Sequence, residues 1–144
     1  MTDAIDHFTG KYRFLSNFYP SEIRWEGRSY RSVEHAYQAS KSLDASVRRK
    51  IADLPSPADA KREGRRSALR PDWETVKVDV MRALLRLKFE DVALREQLLS
   101  TGDAQLIESN TWGDREWGVC RGQGKNLLGK TLMEVRKEIR DARS

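Results

Sequence analysis

Apolar residues recur at helical spacing along most of this chain. Val76, Val80, Leu84 and Leu87 fall on one face, and Met81 and Leu85 widen that stripe. Leu128, Leu132, Val135 and Ile139 form a second stripe near the C-terminus. Residues that favour helix starts stand in front of these runs. Ser32 caps a helix predicted over 33–41, and Asp44 caps one that runs through Ile51. Ser56-Pro57 opens a helix to Arg66, with proline at its first position. Asp72 caps the longest predicted helix. Asp91 starts another through Leu99, closed by Gly102, and the last runs over 127–141. The first part of the chain reads differently. Residues 11–15 are a candidate strand. Ile23-Arg24-Trp25 and Arg28-Ser29-Tyr30 flank Glu26-Gly27 as a tight hairpin, with Gly27 free to take positive φ. Ser16-Asn17-Phe18-Tyr19-Pro20 is a loop stopped by proline. The pattern predicts a mainly α (α+β) fold, a compact helical domain with a small antiparallel β-hairpin element near the N-terminus.

Length supports one domain over residues 1–144, large enough to bury a core. The 27 basic and 22 acidic residues leave a net charge of +5, which suits a nucleotide or a nucleic-acid surface without demanding either. Cys120 is the single cysteine, so no disulfide forms within the chain, as expected in a reducing cytosol. His7 and His35 are far apart and lack metal-ligand spacing. Residues 1–6 carry no apolar run, and no window approaches the ~20 apolar residues of a membrane span. The expectation is a cytoplasmic protein with no membrane association.

Three segments hold candidate chemistry. Residues 111–126 have no helical or alternating period but contain two tryptophans and four glycines. Such a loop either brings its backbone and indoles to a ring-bearing ligand or plugs its tryptophans into the core as an Ω-loop. It leads into the last helix, where N–H groups near 126–129 would suit a phosphate. Glu34, Gln38 and Lys41 share one helix face at i, i+4 and i+7. An ionised Glu34 favoured by the helix dipole would stabilise an oxocarbenium ion or take a proton, and a desolvated lysine is a nucleophile. The same spacing also describes an ordinary solvated face. Finally, eight basic residues (Arg48, Arg49, Lys50, Lys61, Arg62, Arg65, Arg66 and Arg70) stand against three acids (Asp53, Asp59 and Glu63). They would track a nucleic-acid backbone or simply face water. No Gly-x-Ser-x-Gly elbow and no Walker loop is present.

Read in order, several segments form a pattern. They are Leu15-Ser16-Asn17-Phe18-Tyr19-Pro20; Tyr30-x-Ser32-x-Glu34-His35-Ala36-Tyr37-Gln38-Ala39-x-Lys41; Trp73 with Met81 and Lys88-Phe89; Thr101-Gly102-Asp103; Asp114-x-x-Trp117-Gly118; and Gly124-x-Asn126-x-Leu128-Gly129-x-x-Leu132-Met133-x-x-Arg136. This resembles the NADAR family (NAD and ADP-ribose associated, also called YbiA-like) over almost the whole chain. The resemblance implies an N-glycosidase that cuts a bond between ribose C1 and nitrogen. Two activities go with it: removal of ADP-ribose from guanine in DNA or RNA, often as antitoxin to an ADP-ribosyltransferase toxin, and hydrolysis of ribosylamino-pyrimidine phosphates of riboflavin biosynthesis. A non-catalytic NAD or ADP-ribose binding module is the alternative of another class.

The resemblance also implies roles. Lys41 is the nucleophile at C1, Glu34 assists proton movement, and Asp114 is the second acid. Ser16, Asn17, Phe18 and Gln38 line the substrate, and Trp112 and Trp117 stack on a ring. Gly118, Asn126 and Gly129 let the backbone reach phosphates that Arg121 pairs with. No cofactor and no metal is implied. Ser42 departs from the aromatic residue many members carry after the lysine.

Overall fold

The computed structural model describes residues 3–143, so Met1 and Thr2 of the N-terminal stretch lie outside the described residues. The chain folds as two compact units, one of residues 17–88 and the other of residues 3–16 and 89–143.

The first unit begins with a hairpin, β1 (Ile23–Trp25) and β2 (Arg28–Tyr30), with Ile23 opposite Tyr30. Both turn residues take positive φ, Glu26 at 49° and Gly27 at 81°. This is the two-residue turn whose twist matches the strands. Four helices follow: α1 (Val33–Ser40), α2 (Ala45–Asp53), α3 (Pro57–Arg66) and α4 (Trp73–Lys88). The predicted caps hold. Ser32 Oγ accepts the His35 N–H at 3.1 Å, Asp44 the Ser46 N–H at 2.8 Å and Ser56 the Asp59 N–H at 3.1 Å. Asp72 behaves differently: its carboxylate receives the Arg70 guanidinium at 2.6 and 3.0 Å.

Helix α1 is the centre of this unit. It packs against α2, α3, α4 and both strands, and all eight of its residues are buried. His35 is anchored at both ring nitrogens, to Ser32 Oγ at 2.7 Å and to the Leu54 carbonyl at 3.0 Å, and burial lowers its pKa. Ser40 receives the Trp25 indole N–H at 2.9 Å and donates to the Ala36 carbonyl.

In the second unit, residues 11–15 are not a strand. They lie in a 3₁₀ helix, Gly10–Leu15, entered through Gly10 at φ 58° and closed by Ser16 N–H on the Arg13 carbonyl at 3.0 Å. Phe14 and Leu15 are both buried, and neighbours on one side suit a tight helix rather than an alternating strand. Helix α5 (Val92–Ser100) is capped by Asp91 and ends before Gly102 at φ 61°. A two-residue parallel pair, β3 (Ser109–Asn110) and β4 (Val119–Cys120), has no counterpart in the sequence pattern, because strands this short carry no period. Helix α6 (Leu127–Arg143) packs on α5 and, at 17 residues against 16 for α4, is the longer of the two. Buried Arg136 braces the α5 exit, donating to Thr101 Oγ1 and the Ala104 carbonyl, each at 2.9 Å.

Candidate active site

The residues expected to do chemistry fall in both units. In the first, α1 carries three of them. Glu34 sits in its first turn and Gln38 one turn later, 7% and 3% exposed. The Gln38 amide donates to Glu34 Oε1 at 3.3 Å. A solvated face is therefore the wrong description of this pair. Lys41 closes the helix. Its carbonyl accepts the Arg70 N–H at 2.7 Å, and its Nζ lies 5.7 Å from the centre of the Tyr37 ring. That ring is itself 5.2 Å from Trp73. A half-buried ammonium over an aromatic platform is held without being fully stripped of water.

Loop residues 17–20 join this site. The Asn17 carbonyl accepts the Glu34 N–H at 3.1 Å, and its side-chain amide donates to Met81 Sδ at 3.6 Å. Asn17 Oδ1 is buried and makes no hydrogen bond. Phe18 is 40% exposed. Asn17, Phe18, Glu34, Gln38 and Lys41 thus belong to one compact unit, whereas Ser16 belongs to the other. Ser42 is buried and accepts the Asp44 N–H at 3.1 Å, so it braces the turn into α2.

In the second unit, the loop 107–126 is held by its own polar side chains. Asn110 accepts the Asp114 N–H at 3.0 Å and donates to the Asp114 carbonyl at 2.8 Å. Asp114 Oδ1 accepts the N–H groups of Glu116 and Trp117 at 3.0 and 2.9 Å. One carboxylate oxygen is thus a turn cap. Asn126 accepts the Glu108 N–H at 3.0 Å and donates to the Leu106 carbonyl at 2.9 Å.

Three expectations for this loop need correction. The N–H groups of Asn126, Leu127 and Leu128 already donate to the carbonyls of Gly118, Glu116 and Trp117, so the start of α6 does not present them to a phosphate. A side chain on Gly129 would meet the Leu106 carbonyl oxygen, and one on Gly118 would come within 2.7 Å of Asn110 Nδ2. Both glycines permit close packing inside the unit rather than approach to phosphate. The Asn126 side chain is likewise committed to backbone. Trp112 is 61% exposed, Trp117 is half-buried, and Arg121 is exposed at φ 53°.

The basic segment is largely paired. Arg48 meets Glu26 at 3.3 Å, Lys50 meets Glu63 at 2.9 Å, Arg62 meets Asp59 at 2.9 Å and Arg70 meets Asp72 at 2.6 Å. Among the described residues no group of three or more His, Cys, Asp or Glu side chains is placed to hold a metal, and no helix is long and apolar enough to cross a membrane.

The sequence matches the NADAR domain across residues 6–140. This chain belongs to the NADAR family. It is 42% identical to the N-glycosidase YbiA of Escherichia coli, over 96% of this chain and 91% of that protein. An N-glycosidase of Nostoc punctiforme is 43% identical over 90% and 87% of the two chains. A riboflavin biosynthesis protein of Vibrio vulnificus is 40% identical over 89% of this chain, but that match spans 36% of the Vibrio protein. The NMR structure of E. coli YbiA superposes with a TM-score of 0.87, covering 99% of this chain and 89% of that one.

This NADAR chain also buries a residue to which sequence reasoning gave no role. Lys88, at the end of α4, is 1% exposed, with its Nζ 5.7 Å from the centre of the Tyr19 ring. Desolvation lowers its pKa to about 7. The signal was present in phase: Trp73, Lys77, Met81, Leu84 and Lys88 follow one another at intervals of three or four, so the core stripe of α4 contains two lysines. Lys77 reaches out of it to an ion pair with Glu74.

Proposed function

We propose that this chain cuts the bond between ribose C1 and a guanine nitrogen, removing ADP-ribose from ADP-ribosylated guanine in nucleic acid, in a repair or antitoxin role. At the coarser level the chain is a hydrolase acting on N-glycosyl bonds, the activity named for relatives 42% and 43% identical to it over most of its length. The observation that carries the reading is α1 itself. A buried carboxylate, Glu34, is held by a buried amide one turn away, and the same helix ends in the Lys41 amine.

Such a helix supports a covalent route. Glu34 takes a proton from the Lys41 ammonium, and the neutral amine attacks ribose C1 while the C1–N bond to guanine breaks. Protonated Glu34 gives its proton to the leaving guanine nitrogen and, ionised again, takes one from the lysine nitrogen. Opening of the ribose ring gives an imine between Lys41 and C1. Water adds to that imine, releasing ADP-ribose and the free amine. Asp114 is the second acid of the proposal, acting through the oxygen that does not cap its own loop. A partner transferase that installs the modification fits this role, and exposed Arg49, Arg65 and Arg66 give the charge to hold a nucleic acid.

A second reading, hydrolysis of a ribosylamino-pyrimidine phosphate, is favoured by the riboflavin biosynthesis names of the Vibrio protein and of a maize chloroplast protein 35% identical over 87% of this chain. One assay separates the two. The protein is incubated with an ADP-ribosylated guanine oligonucleotide and with the pyrimidine phosphate, each with and without sodium borohydride, and products are read by mass spectrometry. ADP-ribose release with a reduced adduct on Lys41 supports the first reading. Turnover of the pyrimidine phosphate alone moves the chain to the second, and silence on both leaves a binding module.

A further inference from the structure

Helix α3 contains a glycine in its last turn, although glycine disfavours a helix relative to alanine. Gly64 is buried where α3 crosses α1, one turn beyond buried Ala60. A Cβ placed on Gly64 would lie 2.8 Å from Gln38 Cδ and 3.1 Å from Gln38 Cβ, and nearer still to Gln38 Oε1. The three nearest atoms to that Cβ all belong to one residue, the glutamine that holds Glu34.

The amide of Gln38 has only one workable orientation. Its NH₂ donates to Glu34 Oε1, and its carbonyl oxygen is buried with no hydrogen-bond partner. Turning the amide over would set that oxygen against the Glu34 carboxylate, acceptor against acceptor. The oxygen must then face α3, and it fits because position 64 has no side chain. A buried carbonyl without a donor is a cost that folded proteins rarely accept. Here it is the consequence of directing the donor end at Glu34.

We propose that Gly64 is a positioning residue for the Glu34 carboxylate, acting through Gln38: its missing side chain leaves the space in which the amide can hold Glu34 in place. The inference rests on the reading of Glu34 as a catalytic carboxylate. Gly64 itself touches no substrate.

The test uses the full chain with Gly64→Ala, Gln38→Ala and the two together. In Gly64→Ala the far end of Gln38 gives way, so the amide leaves Glu34. On the ADP-ribosylated oligonucleotide each single substitution lowers kcat about tenfold with KM nearly unchanged, because the hydrogen bond removed is one to a charged group. The double variant is no slower than Gln38→Ala, since no amide is left to displace. Should Gly64→Ala fail to fold, Gln38→Ala and the double variant, in which only the 3.1 Å approach to the Cβ of residue 38 remains, carry the decision. A double variant about tenfold slower than Gln38→Ala overturns the proposal, as does a loss confined to KM. A second readout needs no substrate: the Gln38 side-chain ¹⁵N–¹H₂ signals and the Glu34 carboxyl ¹³C signal both move in Gly64→Ala or, if that variant does not fold, the Glu34 signal moves equally in Gln38→Ala and the double variant. If neither moves, Gly64 does not act on Glu34. If they move but the wild-type protein leaves the oligonucleotide intact, the substrate reading fails and the positioning stands.

Discussion

Helix α1 and the loop 107–126 are both marked out by unusual polar residues, yet they use them in opposite ways. In the loop, Asn110, Asp114 and Asn126 bond to nearby backbone, and each satisfies an amide or carbonyl that the irregular chain would leave without a partner. In the α1 region the polar groups are buried beyond what the backbone needs. Gln38 Oε1 and Asn17 Oδ1 have no partner, and Lys88 is buried until its pKa falls to about 7. A region that carries unsatisfied buried polarity is organised for something other than stability. The loop's asparagines are scaffold, and the helix is where the proposed chemistry belongs.

The largest way to break that contrast is to remove the amine. Lys41→Ala is expected to lower kcat about a thousandfold and to abolish the borohydride adduct. Retained turnover without an adduct would hand the attack to water. Next comes Lys88. A lysine whose pKa is depressed by folding binds its proton more weakly folded than unfolded, so the protein gains stability as pH rises from about 7 toward 10.5 and the burial cost is full below 7. Lys88→Met should raise the melting temperature at pH 6 and flatten the rise between pH 7 and 10, where the wild-type slope approaches ~1.4 kcal/mol per pH unit. A melting temperature that falls at pH 6 would mean that the charge itself holds the structure.

Smaller effects probe the loop. Gly129→Ala forces a methyl onto the Leu106 carbonyl, a backbone atom, and should cost about 2 kcal/mol in chemical denaturation while leaving the α1 chemistry intact in the protein that remains folded. Asp114→Asn retains a cap oxygen, so its melting temperature should stay near wild type while activity drops about tenfold. Asp114→Ala should lose about 1 kcal/mol as well. Full activity in Asp114→Asn would reduce Asp114 to scaffold. The smallest effect belongs to Arg49, Arg65 and Arg66. Replacing them with alanine should make oligonucleotide binding less sensitive to salt, the log–log slope falling by about one for each phosphate these side chains neutralise. An unchanged slope would leave them as solvated surface.

Much of this is legible in the residues. Ser32, Asp44, Ser56-Pro57 and Asp91 mark helix starts, and Glu26-Gly27 marks the hairpin, because caps and turns act over two to four residues. The stripe of α4 is legible in its apolar members. Lys77 and Lys88 escape because a charged residue in the buried phase looks like a break in the pattern. Residues 11–15 mislead because a five-residue run cannot separate a strand from a 3₁₀ turn entered through Gly10. The β3–β4 pair joins segments ten residues apart through two positions, and no local period reports it.

The sequence by itself determined most α-helix starts, the hairpin and the family, all of which depend on local chemistry or on ordered motifs. Tertiary structure alone decided which polar residues are available for chemistry. Spacing put Glu34, Gln38 and Lys41 on one face but left open whether that face meets water. Burial by α2, α3 and α4 settled it, and only the crossing of α3 over α1 gave Gly64 a partner. Burial and pairing are relations between segments far apart along the chain, so they are set by packing and cannot be read from neighbours.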